Sequence, residues 1–565
     1  MNRKLSLSFI LTSMLLLTSC AGKFAPTSDY FTVTPQVLVA QGGKVPATVD
    51  GTFPAKAFPV KGIVTITPVL KYEGGEALGT PITLQGEKVT GNNKVINKTG
   101  GSFSVSSVFD YIPAMSKSEL YLRFSTTIGK KVINLPEIKV ADGVIATEAL
   151  ADATTATPTL SEDKFQRIIK EAHEASIMFL IQQASLRKSE LNSEGVKGLS
   201  DQFAATANDE NKQIAGIEVS SYASPDGALS LNENLASNRE KNTVDYLKKE
   251  LTNKKATKGL DAITAKFTAE DWEGFQELVS SSNIQDKELI LRVLSMYSDP
   301  EKREQEIKNL SAVYDNLAEE ILPKLRRSKM TLTVDIIGKT DEQIKDLAVN
   351  DASKLNVEEL LYAATLFSKT SEKESIYKKA TELYPNDYRA YNNLGGIALN
   401  AGNTTQAKSY LDKAYALSKT ADVNSNLALY SMATGAPAST VDSYLGAGAG
   451  AAGVNEAMGI QYIKKGQYAK AVEAFGSTKS NNAALAQLLT KDYSKAKSTL
   501  DAVATPDAQT SYLKAIIGAR TNNKDLVISG LKAAISADKS YAKKAINDLE
   551  FSKYVTDVNV AALLK

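Results

Sequence analysis

The chain has 565 residues with 66 lysines and arginines against 64 aspartates and glutamates, and a single cysteine and a single histidine. So even a balance gives no global field to draw nucleic acid, and a nucleic-acid role has no support. One cysteine rules out disulfides within the chain, zinc clusters and paired-thiol chemistry, and the length suggests three or four domains.

The first residues read as a targeting segment. Arg3 and Lys4 form a basic start, and Leu5 to Leu17 an apolar run too short to cross a bilayer comfortably. Leu17-Thr18-Ser19-Cys20 resembles a lipobox, which implies a signal peptide over 1–19 and acylation of Cys20. A lipid on Cys20 would anchor the mature chain to a membrane without spanning it. Surface-export signals in Bacteroides-like lipoproteins, which this start resembles, often carry acidic residues after the cysteine. No acidic run follows Cys20, so the resemblance implies the periplasmic face of an outer membrane.

Residues 27–145 alternate apolar and small polar side chains in short runs, as in Gly62-Ile63-Val64-Thr65-Ile66-Thr67 and Leu120-Tyr121-Leu122-Arg123-Phe124. Turn-forming clusters separate them, and the expectation is a β-sandwich of Ig-like character. Residues 146–160, rich in alanine and threonine with Pro158, read as a linker.

Beyond it, strands are expected at Ser176–Ile181, Ile214–Ser221, Ile263–Phe267 and Met330–Val334, with helices near 193–207 and from Asn232 to Leu251. His173, between Glu171 and Glu174, reads as helical. Within this region Gly227, Asn232, Leu235 and Arg239 stand at the spacing of the OmpA-like domain signature. The chain resembles that family over about 161–338, with an insertion at about 268–320. The resemblance extends to Bacteroides-type outer-membrane lipoproteins, in which the turn reads A-S-P-[DE]-G and a β-domain precedes the OmpA-like one.

The family grips the diaminopimelate part of peptidoglycan, with a carboxylate taking the ammonium and an arginine taking the carboxyl group. The resemblance makes Arg239 the carboxylate-binding residue, a role its planar fork suits. Ser224 occupies the usual carboxylate position and offers only a neutral acceptor. Asp226 stands two residues on as a substitute, although Pro225-Asp226-Gly227 is also a good turn. Tyr222 would pack against a sugar or peptide stem or cover the sheet edge, and Asn232 would hold the turn.

From about 350 to 565 the pattern is helical and repetitive. Tyr391, Leu394, Gly395, Ala407, Leu411 and Ala414 fit tetratricopeptide spacing, as do Met458, Gly459, Tyr462, Ala471 and Phe475. Weaker units follow at 482–504 and 506–536. The run Gly446 to Gly453 reads as an irregular join or a tight small-residue seam. Such an array implies a protein partner held on its concave surface.

No cofactor, metal site or catalytic set emerges. His173 has no companions for a metal site, Glu319 and Glu320 are adjacent on a helix, and the glycine run lacks the lysine of a phosphate loop. The expectation is a multidomain, non-enzymatic, lipid-anchored envelope protein. It either tethers the outer membrane to peptidoglycan or serves as an envelope scaffold, for a secretion or fimbrial apparatus, whose OmpA-like domain has lost wall binding.

Overall fold

The computed structural model describes residues 24–565 apart from Gln285 and Leu310. The expected signal peptide and Cys20 lie outside the described residues. No helix among those described is long and apolar enough to cross a membrane. The described chain divides into two compact units, one of residues 24–162 with 368–565, the other Asp163–Phe367.

The first unit opens with two sheets packed face to face. Phe31–Thr34, Lys44–Phe53 and Gly101–Asp110 form the smaller. The larger runs Val37–Val39, Ile138–Ile145, Ser118–Ile128, Gly62–Tyr72, Ile82–Gly86 and Lys94–Ile96, with two short flanking strands. Gly101–Asp110 shows why such a sequence makes a sandwich strand. Phe103, Val105, Ser107 and Phe109 turn inward and the residues between them stay exposed. Phe31, Phe53, Phe58, Phe103 and Phe124 cluster between the sheets, with centroids as close as 5.1 Å for Phe53 and Phe58.

Helices fill the rest of this unit. After Thr370–Leu383 come five antiparallel pairs, beginning with Tyr388–Asn400 and Thr404–Leu417 and ending with Ala508–Arg520 and Lys524–Ala537. The small residues at repeat positions are there because neighbours demand it. A Cβ on Gly395 would meet Leu411 at 2.6 Å, and one on Gly459 would meet Phe475 at 2.6 Å. Helices Ser540–Asn547 and Val558–Leu563 follow the last pair, and Phe551 between them is fully buried.

The Asp163–Phe367 unit has a four-stranded sheet in the order Ile168–Met178, Arg327–Ile337, Lys212–Tyr222, Ile263–Thr268. The last two are parallel and the other pairings antiparallel. Helices Glu194–Ala207 and Leu229–Asn253 pack on one face over Ile177, Ile217, Val219, Leu332 and Val334. The insertion folds as helices between Trp272 and Leu325 around its own core of Phe275, Val279, Ile290, Leu317 and Leu322.

Two local expectations need correcting. His173 lies in a strand, not a helix, and that strand starts at Ile168 instead of Ser176. The stretch Lys170-Glu171-Ala172-His173-Glu174 has helix-favouring composition. It pairs residue by residue with the strand Arg327–Ile337, and that tertiary pairing overrides local preference. Likewise the helix Val357–Thr365, within the stretch expected as repeats, belongs to the α/β unit, as does Asp341–Asn350 just before it.

Candidate functional site

Two buried polar sites stand out, one in each unit. In the α/β unit, the strand Lys212–Tyr222 ends at the signature turn and the helix Leu229–Asn253 leads away from it. Asn232, 3 % exposed, donates from Nδ2 to the Gly227 carbonyl at 3.0 Å and so closes the turn.

Arg239 is 1 % exposed. Its Nε donates to the Gln183 carbonyl at 2.9 Å, Nη1 to the Tyr222 carbonyl at 2.7 Å and Nη2 to the Leu180 carbonyl at 3.4 Å. The Phe179 ring lies 5.0 Å from the guanidinium carbon. Burial, with the charge of Arg326 nearby, pushes its pKa down to about 10. The fork that a bound carboxylate would use is thus occupied by backbone.

The carboxylate side of the pocket is occupied too. Arg326, at the end of the insertion, donates from Nε to Ser224 Oγ at 3.1 Å and from Nη2 to Asp226 Oδ2 at 2.9 Å. Ser224 Oγ in turn donates to Asp226 Oδ1. An incoming ammonium would find Asp226 already paired with a guanidinium. The space left among Gln182, Ser224, Asp226, Asn232, Arg239 and Arg326 is about 30 Å³, room for one water. Tyr222 joins this network only through its carbonyl; its ring lies 4.8 Å from the Arg327 guanidinium carbon.

The second site lies on the first helices of the repeat pairs, and residues 151–162 run through it. A segment with no strand partner must satisfy its backbone groups elsewhere, and here side-chain amides do so. Asn482 accepts from Asp152 N–H at 3.0 Å and donates to the Asp152 carbonyl at 2.8 Å. Asn426 does the same for Thr159 at 2.9 and 2.8 Å, and Asn393 for Ser161 at 2.7 and 3.1 Å. Asn392 adds bonds to the Thr159 carbonyl and Ser161 Oγ, and Glu456 accepts from Thr157 N–H at 3.1 Å.

Pro158 brings no N–H to this accounting. It approaches so closely that a Cβ on Gly396 would meet it at 2.6 Å, and one on Gly453 would meet Thr159 Oγ1 at 2.5 Å. Gly453, the last residue of the Gly446–Gly453 run, is therefore a point where the segment presses on the array. Ala153, Ala156, Thr159 and Ser161 are all buried. The stretch expected as a linker is bound along its length.

The segment is also fixed at its start. Glu148 accepts from the N–H groups of Gly42 and Gly43, both at 2.8 Å, and from the Tyr468 hydroxyl. Gly42 and Gly43 have φ of 62° and 72°, which lets successive N–H groups converge on one carboxylate.

Sequence reasoning did not single out Asn392, Asn393, Asn426 or Asn482, and noted Arg326 only as a marker of the insertion. One signal was available for the asparagines. Asn392 and Asn426, which hydrogen-bond to each other at 2.9 Å, lie 34 residues apart, the tetratricopeptide period. Asparagine is a poor residue for a helix interior, so its recurrence there marks a side chain with other work.

Comparison with known proteins agrees on the helical half. The tetratricopeptide repeat family profile matches residues 376–409. The chain is similar to a tetratricopeptide repeat protein from Parabacteroides merdae, at 14 % identity over 36 % of this chain and 88 % of that one, with a TM-score of 0.28. It is also similar to Pseudomonas aeruginosa pilF, at 15 % identity over 40 % of this chain and 98 % of that one, TM-score 0.25. Yeast Tom70 matches at 12 % identity over 60 % of this chain and 77 % of that one, TM-score 0.25. No curated protein matches. The C-terminal half is a helical array with tetratricopeptide repeats, a class of fold that serves as a protein-interaction platform.

Proposed function

We propose that the chain is a non-enzymatic envelope scaffold, lipid-anchored through Cys20 to the outer membrane and facing the periplasm. In this reading the OmpA-like domain is structural and no longer holds peptidoglycan, while the repeats serve a protein partner. The strand order of the α/β unit, with two helices on one face, supports the OmpA-like resemblance. The observation that carries the loss of wall binding is Arg326, whose guanidinium bonds both Ser224 and Asp226 in the place a ligand ammonium would take.

The rival, a peptidoglycan tether, draws on the retained frame of Gly227, Asn232 and Arg239. Cosedimentation of the full chain with insoluble peptidoglycan separates the two. The wild type should stay in the supernatant, and Ser224→Asp with Arg326→Ala should restore some sedimentation by returning a carboxylate and removing the competing cation. Sedimentation of wild type that Arg239→Ala abolishes would establish the tether.

A further inference from the structure

We propose that the repeat groove is a backbone-reading peptide site which the chain keeps filled with its own residues 151–162, so that a partner peptide enters only by displacing them. The reference to a partner rests on the reading of the repeats as an interaction platform. The self-occupancy does not.

Three observations carry it. First, the recognition is directed at backbone: Asn482, Asn426 and Asn393 each clamp both the N–H and the C=O of one residue, at Asp152, Thr159 and Ser161. A groove that reads peptide groups accepts any segment whose backbone follows the same course, a 3-10 turn at Ala153–Thr155 included, and whose side chains fit. Second, the side chains that fit are small. Those buried in the groove are Ala153, Ala156, Thr159 and Ser161, and Gly396 and Gly453 leave no room for larger neighbours at Pro158 and Thr159. The ligand class is therefore a peptide rich in alanine, threonine, serine and proline that can take a short 3-10 turn like that of Ala153–Thr155.

Third, the segment is joined covalently to folded structure on both sides, and Glu148 fixes its start. Tethering makes its binding intramolecular, with an effective concentration that a free peptide must exceed. The three amide clamps are neutral, whereas Glu456 and Asp422 bring carboxylates to Thr157 N–H and Ser161 Oγ, so the competition should keep a modest salt dependence.

The test uses the full chain and a fluorescein-labelled synthetic peptide of residues 151–162. Wild type should not take up the peptide. Ala156→Glu with Thr159→Glu should expel the resident segment and open the groove to the peptide. Adding Asn426→Ala to that variant should weaken uptake roughly tenfold or more. If wild type binds the peptide as readily as the opened variant, the groove is not filled in cis and the proposal fails. It fails equally if the opened variant keeps its helical circular dichroism and binds no peptide. Should the opened variant not fold, subtilisin cleavage of the Asn426→Ala, Asn482→Ala chain decides. Faster cutting between 151 and 162 than in wild type is the expected result, and unchanged cutting overturns the proposal. None of these readouts involves peptidoglycan or a partner, so failure here leaves the scaffold reading to its own test.

Discussion

The pocket of the α/β unit and the groove of the repeats solve the same problem with opposite chemistry. Both bury polar groups that the chain itself must satisfy. The pocket does so with charge: two guanidiniums, one carboxylate and a few carbonyls within a small volume. The groove does so mainly with neutral amides spread over several helices, three of these amides taking both peptide groups of one residue. A charged pocket filled from within is closed at one point and can be reopened by one or two substitutions. A ladder of amides is cooperative, and no single change empties it.

The largest effect should come from the pocket. Arg239→Ala removes a fully buried side chain and takes a donor from three carbonyls, of which Leu180 keeps the Gln183 N–H. It should cost about 3–5 kcal/mol, in the range for losing one partner of a buried polar network. Trp272, the only tryptophan, lies 5.7 Å from Phe275 in the insertion, so its fluorescence during urea unfolding follows this unit.

Asn426→Ala comes next. It strands the Thr159 N–H and removes one of two donors to the Thr159 carbonyl, since Asn392 also reaches it. About 1–3 kcal/mol should be lost from the unfolding of the repeats, followed by circular dichroism, with tryptophan fluorescence unmoved. Gly396→Ala forces a methyl against Pro158 and should cost about 1–3 kcal/mol by overpacking.

Arg326→Met should have the smallest effect on stability, about 1–2 kcal/mol. It leaves Asp226 without its ion-pair partner, although Ser224 still donates to it. If Arg326→Met cost more than Arg239→Ala, the pocket would depend on its ion pair more than on the carbonyl cage, and the ranking of the two arginines would reverse.

The two regions were also unequally legible. The signature turn, the helix after it and the closing strand could be read because their cues are local: Gly227 and Asn232 at fixed offsets, alternation in Met330-Thr331-Leu332-Thr333-Val334. The insertion could be placed by length alone. That Arg326 reaches back to Ser224 could not be read, because 102 residues separate them and only the folded insertion brings them together. The strand around His173 was missed for the same reason, its partner lying at the far end of the unit.

In the repeats, helices and small-residue contacts followed from period and size. The role of 151–162 did not. Alanine, threonine and proline carry no recognition motif, and composition gives the same answer for a loose linker as for a segment held by amides 232 to 330 residues away. Only the 34-residue echo between Asn392 and Asn426 hinted that the inner helices had something to hold.

The most direct test of the central claim, that the chain fills its own groove, is hydrogen–deuterium exchange on the intact protein. The amides of Asp152, Thr157, Thr159 and Ser161 should exchange as slowly as those in the helices Asn481–Leu489, Val454–Lys464, Ala421–Ala433 and Tyr388–Asn400 that respectively hold them. Exchange of these four at the rate of an unstructured peptide, while the helices stay protected, would contradict it.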